Sequence, residues 1–182
     1  MLTPAAFLDR DGVINEDRGY VSTWRDFAFL PGAVEAISRL QDAGYLPVVV
    51  TNQSGIERGY FSEADYRTLT ERMCAALADA GVTIGKVYHC PHAPGRRPPC
   101  TCRKPRAGMI ERAIAELGID RAASFMVGDK LGDITAGRAA ELGATFRVGP
   151  KAIGAKDGAT ARFPDLATCA AAVVAGDVTV GC

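Results

Sequence analysis

Short apolar runs alternate along the chain with longer stretches in which apolar positions recur every three or four residues. The clearest runs are AAFL at 5–8, YLPVVV at 45–50 and SFMV at 124–127. Each passes abruptly into polar or glycine-containing sequence, as strands buried on both faces of a parallel sheet do where their loops begin. Weaker runs predict further strands near 86–89 and 144–148. Between them, PGAVEAISRLQDAG has helical spacing, with Pro31 expected in the first turn and Gly44 as the stop. SEADYRTLTERMCAALADAG follows, with Ser62 as its N-cap and Gly81 at its end. AGMIERAIAELG and GDITAGRAAELG repeat the helix-then-glycine pattern. A loop rich in glycine, lysine and alanine at 150–160 then leads to a last amphipathic helix near 165–175.

Strand and helix in strict alternation predict an α/β fold. The expected form is a Rossmann-like, mostly parallel sheet with helices on both faces and little or no cap. In such sheets ligands bind beyond the carboxyl ends of the strands, so the residues just after each apolar run are the first candidates for chemistry. The chain has 182 residues, 48% of them apolar. That suits a single domain over 1–182 with its own core.

After the first run stand Asp9 and Asp11, then Gly12. Alternate residues of an extended segment project to one side, so both carboxylates can enter one small volume. Two such charges repel unless a cation or proton lies between them, which makes the pair a natural magnesium site and acid/base couple. Read alone, the segment equally describes a turn. The second run leads into Thr51, Asn52, Gln53 and Ser54, whose hydroxyls and N–H groups can cradle a phosphoryl group. The run at 124–127 leads to Asp129, with Asp133 four residues on. Carboxylates gathered at strand ends cost stability without a cation to offset them, so Asp129 is expected to bind the metal. Asp133 is expected to act through water, to orient Lys104 or Lys130, or to cap the following helix. Lys104 supplies an ammonium able to neutralise a transferring phosphoryl group.

Lysine plus arginine equals aspartate plus glutamate at 21 each. That balance argues against a nucleic-acid or membrane-surface binder. No secretory leader and no apolar run near the ~20 residues of a membrane span are apparent, so a cytoplasmic protein is expected. Of six cysteines, Cys90, Cys100 and Cys102 crowd into one loop with His92. Three thiolates and an imidazole form the ligand set of a closed, structural zinc site. This loop, about 89–105, also carries Arg96, Arg97, Arg103, Lys104 and Arg106, a basic patch concealed by the neutral total. Such a patch suits a second phosphate on the substrate.

The segments DRDGV, Thr51 after a strand, Lys104 and GDKLGD, in this order, resemble the haloacid dehalogenase superfamily of phosphatases over residues 5 to about 148. The resemblance implies an aspartyl-phosphate on Asp9, with Asp11 as general acid and then base. It further implies Mg2+ between Asp9, the Asp11 main-chain carbonyl and Asp129. FLDRDGVIN, DRGYV, TNQSGI, the Cys/His loop ending in CRKP, and MVGDKLGD are similar to the D-glycero-D-manno-heptose 1,7-bisphosphate 7-phosphatases, with the histidinol-phosphate phosphatases close behind. That similarity implies substrate contacts at Asp17, Arg18, Gly19 and Tyr20, at Thr51 to Ser54, and at Arg103 and Lys104. The expected partner is a small phosphorylated sugar, bound by a monomer. A zinc-stabilised module that binds phosphate without turnover is the alternative of another class. Asp9 beside Asp11 argues against it, since a binder needs no nucleophile next to an acid.

Overall fold

The computed structural model describes residues 2–95, 97–154 and 156–181. Its strands are β1 (Ala5–Leu8), β2 (Leu46–Asn52), β3 (Lys86–Cys90), β4 (Phe125–Gly128), β5 (Ala144–Val148) and β6 (Ala161–Phe163). They form one sheet in the order β3-β2-β1-β4-β5-β6, every pairing parallel. The helices are α1 (Ala33–Asp42), α2 (Glu63–Asp79), α3 (Gly108–Leu117), α4 (Leu131–Ala139) and α5 (Leu166–Ala175).

Side chains alternate between two cores. Ala6 and Leu8 of β1, with Phe125 and Val127 of β4, meet α1, α2 and α5 on one face. Ala5 and Phe7, with Met126, meet α3 and the end of α4 on the other. These residues are wholly buried. Burying a side chain the size of leucine or phenylalanine contributes roughly 1.5–3 kcal/mol, which fixes the strand register against slippage. Helix ends follow local chemistry: Ser62 Oγ accepts from Asp65 N–H, and the Asp65 carboxylate accepts from Ser62 N–H, closing the start of α2.

Two expectations need correction, and one strand is added. Pro31 precedes α1 rather than opening it, because Gly32 adopts a left-handed conformation (φ 72°) and the helix begins at Ala33. Thr51 and Asn52 belong to β2, held by register with His89 and Cys90, instead of following the strand. The three residues of β6 were not anticipated; they are half-buried and form no apolar run.

From β1 the chain steps outward to β2 and β3, then returns to β4 on the other side of β1. The carboxyl end of β1 is thus the topological switch point, where crossovers leave in opposite directions and open a crevice. Asp9 follows β1 there, Thr51 lies in the β2 extension, and Asp129 follows β4. Neither 9–32 nor 53–62 contains a helix, so nothing helical covers this crevice among the described residues. Among those residues no helix is long and apolar enough to cross a membrane.

Candidate active site

Asp9 is 6% exposed and its N–H bonds Val127 O, which continues the β1–β4 ladder and fixes its backbone. Its Oδ1 accepts from Arg10 N–H at 2.8 Å and lies 2.9 Å from Lys104 Nζ. No donor among the described residues reaches Oδ2, leaving that oxygen free. Lys104, expected to supply an ammonium to the phosphoryl group, is buried and fixed. Its Nζ lies 2.6 Å from Asp133 Oδ1 and 2.7 Å from Val50 O, so all three hydrogens have acceptors. Burial opposes its charge, but Asp133 and Asp9 outweigh that and raise its pKa. The Asp9 pKa is raised by burial, against the pull of Lys104.

Asp133 fulfils two of its expected roles together. Oδ1 holds Lys104, and Oδ2 accepts from Lys130 N–H at 3.0 Å, closing the first turn of α4. Gly128 makes this approach possible: a Cβ there would sit 2.1 Å from Asp133 Cβ.

The Asp11 carboxylate is gripped from three sides. Arg10 Nη2 donates to both oxygens at 3.0 and 3.1 Å, Asn15 Nδ2 to Oδ1 at 3.0 Å and Gln53 Nε2 to Oδ2 at 2.9 Å. Sequence reasoning missed Arg10 and Asn15. Arg10 is 0% exposed, bonds Val21 O, and lies 6.0 Å from the Tyr66 ring centroid. The signal was the alternation itself, since a residue between two carboxylates that share one side must leave on the other.

Carboxylate oxygens of Asp9, Asp129 and Asp133 lie within 4.8 Å of one another. Asp129 Oδ1 is buried without a partner. Burial, aided by Asp9, Asp133 and Asp17 and opposed by Lys130, pushes the Asp129 pKa up to about 7. An orphaned oxygen among crowded carboxylates fits a hard, oxygen-bound cation. Gly12 (φ 85°) admits the approach, since a Cβ would meet Asp129 Oδ2 at 2.6 Å.

The expected zinc ligands also converge. Cys90 Sγ lies 3.7 Å from Cys100 Sγ, 3.5 Å from His92 Nδ1 and 3.0 Å from Cys102 Sγ, and His92 Nδ1 lies 3.3 Å from Cys102 Sγ. Tetrahedral zinc with Zn–S near 2.3 Å places its ligand atoms roughly 3.5–3.8 Å apart, and disulfide sulfurs would stand about 2.05 Å apart. The donor set fits zinc, as do the Cys90–Cys100 and Cys90–His92 edges, while the His92–Cys102 and Cys90–Cys102 edges are shorter. The cluster directs its neighbours, as Arg103 Nη1 donates to His92 O and Arg106 Nη1 to Cys100 O, both at 2.9 Å.

A cavity of about 480 Å³ opens over Asp9, Asp11 and Lys104, whereas Asp129 lines a neighbouring cavity of about 640 Å³ and the Cys/His cluster lines neither. Asp9, Asp11, Thr51, Ser54, Arg103 and Lys104 line the smaller one, together with Asp17, Gly19, Tyr20, Asn52 and Gln53. Arg18 does not line it but pairs with Glu16 at 2.7 Å in solvent. Arg97 and Arg106 are also outside its wall, and Arg96 lies outside the described residues. Asp17 is held by Lys130 Nζ at 2.9 Å; burial opposes its charge, yet that bond and Gly19 N–H keep its pKa low. Asn52 exchanges two 3.1 Å bonds with the Lys104 main chain, so its amide holds the Cys/His loop to the sheet. Tyr20, in the left-handed region (φ 52°), meets Tyr60 edge-on at 4.6 Å across the rim.

Comparison with known proteins agrees with this architecture. A family model described as HAD-hydrolase-like matches residues 101–175. The D-glycero-beta-D-manno-heptose-1,7-bisphosphate 7-phosphatase of Haemophilus ducreyi is 52% identical over 141 residues, covering 75% of this chain and 78% of that one. Its namesake in Escherichia coli K12 is 51% identical over 145 residues, covering 77% and 76%. A crystal structure of D,D-heptose 1,7-bisphosphate phosphatase from B. bronchiseptica, complexed with magnesium and phosphate, superposes with a TM-score of 0.82 at 33% identity, covering 95% and 99%. The chain is thus a phosphoric monoester hydrolase of the HAD-like class. Within that class it belongs to the family of the heptose-1,7-bisphosphate 7-phosphatases.

The raised Asp129 pKa predicts a pH effect on the metal-free protein. A carboxyl whose folded pKa lies above its unfolded value is most stabilising while protonated, and that contribution is lost as pH rises from about 4 through about 7. Urea midpoints without divalent metal are expected to fall across this window. Asp129→Asn or added Mg2+ should flatten the slope, and a slope unchanged by both would contradict the assignment.

Proposed function

We propose that this protein hydrolyses the 7-phosphate of D-glycero-β-D-manno-heptose 1,7-bisphosphate through an aspartyl-phosphate on Asp9. The observation that carries the reading is Asp9 itself: a buried carboxylate with one oxygen held by Lys104 and Arg10 N–H and the other free, in a cavity shared with Asp11 and Thr51. The relatives named for this substrate support its identity and the β anomer.

Mg2+ would be held by Asp9, Asp129 and the Asp11 main-chain carbonyl, with Asp133 in support through Lys104. When bound, it would neutralise the phosphoryl oxygens and the carboxylates that otherwise repel them. Asp9 Oδ2 attacks phosphorus as the bond to the sugar oxygen breaks, and Asp11 gives that oxygen its proton. Arg10, Asn15 and Gln53 favour this step, because their donors complement the carboxylate that Asp11 becomes. Asp11 then takes a proton from water, whose oxygen attacks phosphorus and releases phosphate with Asp9 restored. Thr51 and Ser54 offer hydroxyls to the phosphoryl oxygens, and Lys104 keeps a fixed positive charge beside the bond being made.

Arg103 reaches the cavity from the zinc loop and suits the second phosphate; Gly19, Tyr20 and Asp17 would bound the sugar. Zn2+ on Cys90, His92, Cys100 and Cys102 would have a structural role, since four protein ligands leave no open position. The reading places one phosphatase domain over 1–182, acting as a monomer in the cytoplasm.

With Mg2+ present, purified protein is expected to release phosphate from the heptose bisphosphate faster than from histidinol phosphate, and Asp9→Asn to abolish release. Preference for histidinol phosphate would overturn the substrate, and an active Asp9→Asn would overturn the nucleophile. Elemental analysis should find about one zinc per chain, as four ligands permit. Full activity and an unchanged melting temperature after exhaustive chelation of zinc would refute the structural role.

A further inference from the structure

Gln53 was expected to contact substrate, yet it is 3% exposed and its amide nitrogen is fully engaged. Nε2 donates to Asp11 Oδ2 at 2.9 Å and to Thr51 Oγ1 at 2.9 Å. An amide NH2 carries two hydrogens, so none remains for a ligand. The orientation suits Asp11, because the carboxylate it becomes on giving up its proton only accepts and so needs nitrogen, not oxygen, to face it. Its backbone is equally constrained: Gln53 N–H donates to Cys90 O at 2.7 Å, and Gln53 O accepts from Ile56 N–H at 3.2 Å.

We propose that Gln53 is a positioning residue that holds Asp11 in place and sets the direction in which Thr51 donates. This rests on the reading of Asp11 as general acid. Without Gln53, Asp11 Oδ2 would keep only Arg10 Nη2 at 3.1 Å, and nothing would tie the β1 loop to the end of β2 at this point. Because Thr51 Oγ1 accepts from Gln53, its own hydroxyl hydrogen is turned away from the amide and is available to a phosphoryl oxygen. One buried amide thereby orients the group that binds phosphate and the group that protonates the leaving oxygen. The Cys90 carbonyl, on a zinc-loop cysteine, fixes that amide's backbone.

The test uses Gln53→Met, which keeps length and removes both donors, and Gln53→Glu, which keeps shape, sets a carboxylate against Asp11 and draws the Thr51 hydroxyl hydrogen toward itself. For a sugar phosphate, kcat/KM is expected to fall roughly 10²-fold, as loss of general-acid help does. For p-nitrophenyl phosphate, whose leaving group needs little protonation, it should fall only a few-fold. In an Asp11→Asn background, adding Gln53→Met should cost only the few-fold that p-nitrophenyl phosphate also loses, the share that acts through Thr51 rather than Asp11.

Equal losses on both substrates, or the full sugar-phosphate loss persisting in the Asp11→Asn background, would overturn the proposal; the latter would mean direct substrate contact. Failure of both variants to fold would make Gln53 a core residue and overturn it as well. If the unaltered protein does not hydrolyse the heptose bisphosphate, only the substrate reading fails, since the comparison runs equally with any sugar phosphate it does hydrolyse.

Discussion

The site depends on one buried ammonium. Lys104 Nζ stands between Asp9 and Asp133 with Val50 O as its third acceptor, all enclosed at the carboxyl ends of β1, β2 and β4. An unpaired charge in such a place would cost several kcal/mol, and removing one partner of a buried pair typically costs about 3–5 kcal/mol. The strands, the start of α4 and the zinc loop must therefore arrive together. Asp133 contributes by closing α4 with one oxygen and holding Lys104 with the other. Asp9 is left with one oxygen restrained and one free, the state a carboxylate nucleophile needs.

The zinc loop follows from that constraint. Lys104 comes from a proline-rich segment with no regular structure of its own, and a loop of this kind needs an anchor to hold a charge within a few tenths of an ångström. Two anchors are visible. The Cys90, His92, Cys100 and Cys102 cluster folds the loop, and the Asn52 amide clamps the Lys104 main chain with reciprocal bonds. Cys90 ends β3 and also accepts from Gln53 N–H, so the Cys/His cluster, the end of β2 and Asp11 share one hydrogen-bonded frame. A site open to solvent can in this way be rigid without a helical cap.

Much of this was legible in the chain. Buried parallel strands announce themselves as apolar runs, and the residue after each run must lie at the crevice, which singled out Asp9, Thr51 and Asp129. Cysteines with a histidine at close spacing identify their own chemistry. What escaped has physical reasons. β6 is three half-buried residues paired on one side, so burial left no pattern in it. Arg10 and Asn15 drew no notice because charge and amide usually signal solvent, and it is the fold that buries them against Asp11. Asn52 and Gln53 looked like ligand contacts because polar residues at a strand end usually are. Both do line the cavity, and once β2 is seen to run through Asn52 their amides also bond the Lys104 main chain, Asp11 and Thr51. Likewise Arg147, unremarkable in sequence, donates to the Asp129 main-chain carbonyl at 3.3 Å while pairing with Asp157, which ties the β5 strand to the backbone of Asp129.

The central claim is that a phosphoryl group passes through Asp9. The most direct measurement is to acid-quench the protein during turnover of radiolabelled substrate, reduce the acyl phosphate with borohydride and locate the change by peptide mass spectrometry. The account predicts label in the quenched protein and reduction of Asp9 alone. Turnover without labelled protein, or a modification on Asp11 or any other carboxylate, would contradict it.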